Sequence, residues 1–158
     1  MTDEHGPDIP EQRKYLPTLA ELIDRLSIVL LKAIFIPENH QEYLDEKTLI
    51  EHDIDLELRR CNPRPKSHWT KVINARIITA TLMLMLSNRY IWENESKARQ
   101  GGKEQDKLLK LTHSINGVRS TAKNIIAREF GNRVDLKVDC FAAELEKEFG
   151  RWDVFTNA

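Results

Sequence analysis

The stretch QDKLLKLTHSINGVRSTAKNIIAREF, residues 105–130, decides the fold because it carries two regular patterns at once. Its apolar residues recur every three or four positions, at Leu108, Leu111, Ile115, Val118, Ala122 and Ile125. This spacing lines up one side of an α-helix, in which 3.6 residues complete a turn. Because such a stripe must be buried against another element, the stretch predicts a helix inside a bundle.

A polar stripe runs along the same stretch, with i, i+4, i+7, i+11 spacing, at Thr112, Asn116, Arg119 and Lys123. The preceding helical segment, about residues 69–100, repeats the spacing with Asn88, Trp92, Glu95 and Arg99. Gly101 and Gly102 separate the two segments by a short loop. Short loops join antiparallel neighbours, so the two polar stripes are expected to face each other and form one seam.

Three further helices are predicted outside this hairpin. Thr18 and Glu21 form a capping box that starts a helix ended by Pro37. A second helix is expected at about residues 41–61 and a short last one at about residues 139–149. We therefore predict an all-α fold, a helical bundle of four main helices plus a short C-terminal helix. Residues 1–15 are expected to be disordered or loosely attached, and residues 16–158 to form a single helical domain.

Composition excludes several classes of protein. The formal net charge of −1 is not that of a strong nucleic-acid binder. The two cysteines lack a CxxC partner, which argues against a structural zinc site or a disulfide framework. The apolar run at residues 77–86 is too short to span a membrane and predicts a helix buried nearly all round, with Leu82 in the core. A cytoplasmic protein without membrane contact is expected.

The first helix is apolar on two sides, with Leu22, Leu26 and Leu30 on one and Ile28, Leu31 and Phe35 on the other. A chain of this size has limited capacity to cover both sides together with residues 77–86. The pattern therefore predicts a homo-oligomer.

The seam is the candidate ligand site. An arginine fork and a lysine charge suit phosphate or carboxylate, and a tryptophan face suits a flat base. The candidate ligand-binding residues are Asn88, Trp92, Glu95, Arg99, Thr112, Asn116, Arg119 and Lys123. The alternative is an internal network that sets helix register, with Glu95 bound to Arg119 or Arg99.

A metal site is a weaker possibility. Glu21 and Asp24 have the ExxD spacing of helical magnesium-dependent nucleotide pyrophosphohydrolases, but the second carboxylate pair of that pattern is not found cleanly. Under this alternative Glu21, Asp24 and Glu95 would hold Mg²⁺, and otherwise no cofactor is expected.

Three segments carry a resemblance: LAELIDRLSIVLLK at residues 19–32, IWENESKAR at 91–99 and THSINGVRSTAKN at 112–124. They resemble the signature segments of a family of small uncharacterised all-helical proteins of tailed phages and bacteria. The resemblance implies a phage-type setting, hence the host cytoplasm, and no mechanism.

Three hypotheses follow. The first is a binding protein, not an enzyme, that holds a small nucleotide-like or phosphorylated ligand in the seam, and in a phage setting it could sequester a host defence signal. The second is the magnesium-dependent hydrolase. The third is an oligomeric interaction protein with no ligand, whose polar stripes set helix register.

Overall fold

Four main helices account for most of the chain. The computed structural model describes residues 15–61, 73–136 and 154–155, and within them every regular element is helical. Helix α1 spans Leu19–Phe35, α2 His40–Cys61, α3 Ala75–Arg99 and α4 Gln105–Glu129. A 3₁₀ turn, Pro37–Asn39, joins α1 to α2. The all-α class and the four main helices are confirmed. The last helix expected near residues 139–149 lies outside the described residues, as do residues 1–14 of the N-terminal segment.

The helix ends follow local sequence signals. Thr18 N donates to Glu21 Oε2 at 2.7 Å and Glu21 N donates to Thr18 Oγ1 at 3.3 Å, which is the predicted capping box. Asn74 caps α3 by accepting from Ile77 N at 2.9 Å. After α3 the chain turns at Gly101, whose φ of 75° lies in the left-handed region that favours glycine. The turn lets α4 run back along α3.

The α3–α4 hairpin forms the largest helix interface, and α1 lies against both helices. Buried residues of this core include Ala80, Leu84, Ile115, Val118 and Ile126. Helix α2 packs on α1 around Leu22, Val29 and Ile50. Because α2 shares no extensive interface with α3, the two helices stand apart on either side of α1. That separation leaves a groove between them.

Helix α3 is not buried all round, and this sequence-based expectation was wrong. Ile78, Leu82 and Leu86 expose 51%, 60% and 53% of their surface. The physical reason is that α1 and α4 cover only the faces that carry Ala80, Leu84 and Ser87, each 0% exposed. No helix in the described part of the chain covers the Ile78 side. Among the described residues, no helix is both long enough and apolar enough to cross a membrane.

Candidate functional site

A buried polar group lies where α1, α3 and α4 meet. It consists of Asp24, Ser27, Asn88 and Arg119, and we call it the Asp24 cluster. Asn88 Nδ2 donates to Asp24 Oδ1 at 2.8 Å and to Ser27 Oγ at 2.6 Å. Arg119 Nε donates to Asp24 Oδ1 at 3.0 Å, and Arg119 Nη2 donates to Asp24 Oδ2. The carboxylate is therefore held by a two-pronged arginine contact and an amide from a third helix.

The partner of Arg119 is Asp24 and not Glu95. The side chain of Asp24 is 8% exposed and that of Arg119 is 26% exposed. Glu95 instead contacts Arg99 at 3.5 Å, on the solvent side, where the two side chains are 48% and 81% exposed. Of the two pairings considered from sequence, only the one between Glu95 and Arg99 is observed. Exposed pairs of this kind contribute little to stability.

Sequence analysis missed the role of Asp24 and Ser27, although a signal for both is present. Ala20, Asp24, Ser27 and Leu31 follow i, i+4, i+7, i+11, the same spacing as the two polar stripes. All four are buried, at 1%, 6%, 6% and 2% exposure. They form the side of α1 that faces the hairpin. Three stripes of one period thus meet, and the one on α1 supplies the carboxylate.

The cluster has no net charge, because the guanidinium of Arg119 is matched by the carboxylate of Asp24. A buried pair of this kind repays its desolvation only when its hydrogen bonds are satisfied. Here both carboxylate oxygens accept bonds, and Ser27 Oγ donates to the Asp24 backbone oxygen at 2.8 Å. Such an arrangement holds three helices in one register. It offers an incoming anion no unbalanced positive charge.

The remaining predicted ligand residues are spread over several environments. Thr112 is buried, and its hydroxyl donates to the Leu108 carbonyl at 2.9 Å. Lys123 contacts Asp135 at 2.9 Å. Trp92 and Asn116 are half-buried, and in the part of the chain that the structure describes their side chains form no hydrogen bond within the protein. Of the eight candidates, Asn88 and Arg119 share Asp24 as a partner, and Glu95 and Arg99 form the exposed pair described above.

A small cavity of about 100 Å³ lies near the start of α1. Its charged lining is already paired: Lys123 with Asp135, and Arg133 Nη2 with Glu21 Oε2 at 2.6 Å. Asn124 and Asp135 exchange two hydrogen bonds, at 2.9 and 2.8 Å, which ties the chain after α4 back to that helix. The cavity does not include Arg119, Asn116 or Trp92. Its charges serve the fold locally.

Carboxylates do not gather as a metal site requires. Glu21 accepts from the Thr18 amide and from Arg133, and Asp24 accepts from Arg119 and Asn88. Across residues 15–61, 73–136 and 154–155, no group of three or more His, Cys, Asp or Glu could hold a metal ion. The magnesium hypothesis receives no support from this geometry.

A second concave surface, larger than the cavity near the start of α1, is apolar. A groove of about 290 Å³ has α2 residues Ile54 and Leu58 on one wall and α3 residues Ile78 and Leu82 on the other. Its remaining lining residues are Leu19, Ile23, Ile73, Ile77, Thr81 and Phe130. Thr81 alone among them carries a polar side chain. The groove can bind apolar side chains by removing them from water, and it offers almost nothing to orient a polar ligand.

No protein-family model matches this chain, and comparisons with curated proteins and with solved structures find no match for it. The Asp24 cluster and the groove are the features of the described residues that bear on function.

Proposed function

We propose that this protein is an interaction protein that binds an amphipathic helix of another polypeptide in the groove between α2 and α3. The observation that carries the proposal is the groove itself: nine of its ten lining side chains are apolar. A concave surface lined almost entirely by apolar side chains is a candidate for protein–protein contact. The proposal corresponds to the interaction-protein hypothesis, with the cytoplasmic location and phage-type setting retained as predictions.

The shape of the groove favours a helix as its occupant. Two helices that do not pack on each other form its walls, and Leu19 and Ile23 of α1 line it between them. Helix-in-groove recognition uses such a channel, in which residues at i, i+3, i+4 and i+7 of the incoming helix supply the apolar contacts. An extended peptide would need a row of free backbone groups, and the walls are helices whose backbone bonds are internal.

The Asp24 cluster supports the proposal because it gives two of the predicted ligand residues a structural role. Arg119 and Asn88, the two predicted ligand residues in the Asp24 cluster, already have protein partners. Their positions are therefore explained by helix register, without a bound molecule. Buried polar groups whose main hydrogen bonds are satisfied can specify a single packing arrangement.

A second candidate, the nucleotide-like or phosphorylated ligand, is favoured by one specific observation. Arg119 Nη1 donates to no described residue, and Arg119 remains 26% exposed. Asn116, one helical turn away on α4, is also without a hydrogen bond in the described chain. A carboxylate-oriented arginine with one open edge can bind a phosphate oxygen. The neutrality of the Asp24–Arg119 pair makes this candidate the weaker of the two.

Dye binding tests the groove. A dye of the anilinonaphthalene sulfonate type should fluoresce with dilute wild-type protein, because it enters apolar grooves. Ile78→Glu should lower that signal several-fold, since Ile78 lines the groove and its half exposure lets the fold tolerate the change. Leu49→Glu is the matched control: Leu49 is 70% exposed and does not line the groove. Equal signals from wild type and Ile78→Glu would contradict the proposal.

Mass spectrometry separates the two candidates. Purified wild-type protein should carry no small molecule when native and denatured spectra are compared. A nucleotide-sized adduct that is present in wild type and absent from Arg119→Lys would establish the second candidate instead. Lysine retains the positive charge of Arg119 but cannot form the two-pronged contact. If only the charge of Arg119 matters, the adduct should therefore remain in Arg119→Lys.

A further inference from the structure

We infer that the helix bound in the groove is α3 of a second copy of this chain, so that two copies pair about a two-fold axis near Leu82. This inference rests on the proposed function, and it names the partner. The starting observation is the apolar stripe of Ile78, Leu82 and Leu86, defined by its i, i+4, i+8 spacing on α3. Each of these side chains is more than half exposed.

The stripe is self-complementary. In a two-fold interface the same surface occurs on both sides, so a contact from residue i to residue j is repeated from j to i. If α3 crosses its copy at Leu82, Ile78 lies opposite the partner's Leu86. The reciprocal contact is identical, and Leu82 meets its own copy at the axis. All three positions are then apolar on both sides.

Charge permits this pairing. Between Ala75 and Ser87, α3 carries a single charged residue, Arg76. Most charge on the helix lies beyond Asn88, where Arg89 and Glu93 neutralise each other at 2.6 Å. Two identical surfaces repel when they carry like charges at the contact, and this surface carries none at the stripe. The chain's net charge of −1 adds no strong long-range repulsion.

The exposed apolar area of this surface is comparable with the centre of a stable protein–protein interface. Ile73, Ile78, Leu82 and Leu86 are 47%, 51%, 60% and 53% exposed. At roughly 100 Å² for each half-exposed side chain, they present on the order of 400 Å² of apolar surface per copy. A stable interface covers about 800 Å² per partner. The stripe and Ile73 together thus supply about half of that area as its apolar centre, and the α2 wall of the groove adds to it.

Light scattering of the full chain at micromolar concentration tests the inference. Wild type should give about twice the chain mass of 18.4 kDa. Leu82→Glu should weaken association by about thirtyfold or more, because it places two carboxylates at the axis of a desolvated contact. Its circular dichroism should remain that of wild type, since Leu82 is 60% exposed in one copy. Leu49→Glu, the control outside the groove, should remain a dimer.

Mixing two variants tests the two-fold geometry. Ile78→Lys and Leu86→Glu should each weaken the dimer when measured separately. An equimolar mixture should recover it, because the two introduced charges face each other at one end and the other end keeps its apolar pair. Recovery is not expected for Ile78→Lys mixed with Ile78→Glu, because those two charges lie at opposite ends of the contact and each faces an apolar Leu86. A mixture no tighter than its components would overturn the pairing about Leu82.

The failure of this inference can be told apart from the failure of the proposed function. A wild-type chain of 18.4 kDa at micromolar concentration overturns the second copy as partner. If that monomer still binds the dye and Ile78→Glu reduces the signal, the groove stands as a site for a helix of another protein. If the monomer binds no dye, the groove is closed and both proposals fail.

Discussion

The Asp24 cluster and the Ile78–Leu82–Leu86 stripe reverse the usual distribution of polar and apolar side chains. Helix α3 takes part in both: it buries Asn88 at 5% exposure and leaves Leu82 at 60%. The two residues lie only six positions apart in the chain. The difference shows that the side of α3 that is buried is decided by where α1 and α4 pack against it, and not by residue type.

The buried and the exposed side of α3 differ in how their side chains are satisfied. The buried side of α3 combines apolar residues such as Leu84 with polar ones, including Ser87 at 0% and Asn94 at 4% exposure. Asn88 compensates for its burial by bonding Asp24 and Ser27. The exposed side has no such compensation, and water contacts its leucines. One helix therefore carries both the buried cluster and the exposed stripe that we propose as the surface of association.

The largest effect is expected from Leu84→Ala, and Leu82 on the same helix provides the comparison. Leu84 is 0% exposed, and Leu84→Ala should lower the free energy of unfolding by about 3 kcal/mol or more, through lost burial and a residual cavity. Leu82→Ala should cost less than about 1 kcal/mol in dilute protein, because Leu82 is 60% exposed. Urea denaturation at two protein concentrations measures both.

The concentration dependence sharpens the comparison. The cost of Leu82→Ala should grow with protein concentration if copies associate through the stripe, because dimerisation stabilises only the folded chain. The cost of Leu84→Ala should not change. A Leu82→Ala cost equal to that of Leu84→Ala in dilute protein would mean that both leucines are core residues.

Arg119→Ala is expected to have the next largest effect. It leaves the 8% exposed Asp24 carboxylate without its main partner and should cost about 2–3 kcal/mol. That figure lies below the ~3–5 kcal/mol of a fully buried pair because Arg119 is itself 26% exposed. The second change Asp24→Asn should restore part of the loss by removing the unpaired charge. Thermal and urea melts of the single and double variants test this.

Arg99→Ala is the matched control for Arg119→Ala. Arg99 belongs to an exposed pair with Glu95 and is 81% exposed, so the stability change should stay within about 0.5 kcal/mol. If Arg119→Ala proved equally harmless, the cluster would not set register. The open edge of Arg119 would then be the stronger explanation for its position.

The last expected effect is a gain of stability. Asn94 is 4% exposed, and its Nδ2 donates to no acceptor in the described chain. Asn94→Leu removes this unpaired donor and should raise the free energy of unfolding by about 1 kcal/mol, because a buried unpaired donor costs its desolvation. Differential scanning fluorimetry can detect this gain. A clear loss of stability would show that the Asn94 amide is bonded within the protein.

Local sequence signals predicted most helix bounds because they act over a few residues. The start of α3 was wrong: it was expected near residue 69 and lies at Ala75, because Asn74 caps the helix there. The capping box of Thr18 and Glu21 is formed by neighbours in the chain and was found as expected. The break at Gly101 and Gly102 depends on backbone freedom at two positions. The polar stripes of α3 and α4 were also identifiable, since helical spacing alone places their members on one side. The cluster was predictable only in part: Asn88 and Arg119 were identified, but their partner was not.

The sequence by itself determined the all-helical class, the four main helices and the side of α3 and α4 that carries polar groups. Only the tertiary structure decided that Asp24 pairs with Arg119 across 95 positions, and that Leu82 lies outside the core. Both depend on where α1 lies relative to the hairpin. Helical spacing specifies the angular position of a side chain on its own helix, and it carries no information about which neighbouring helix covers that position.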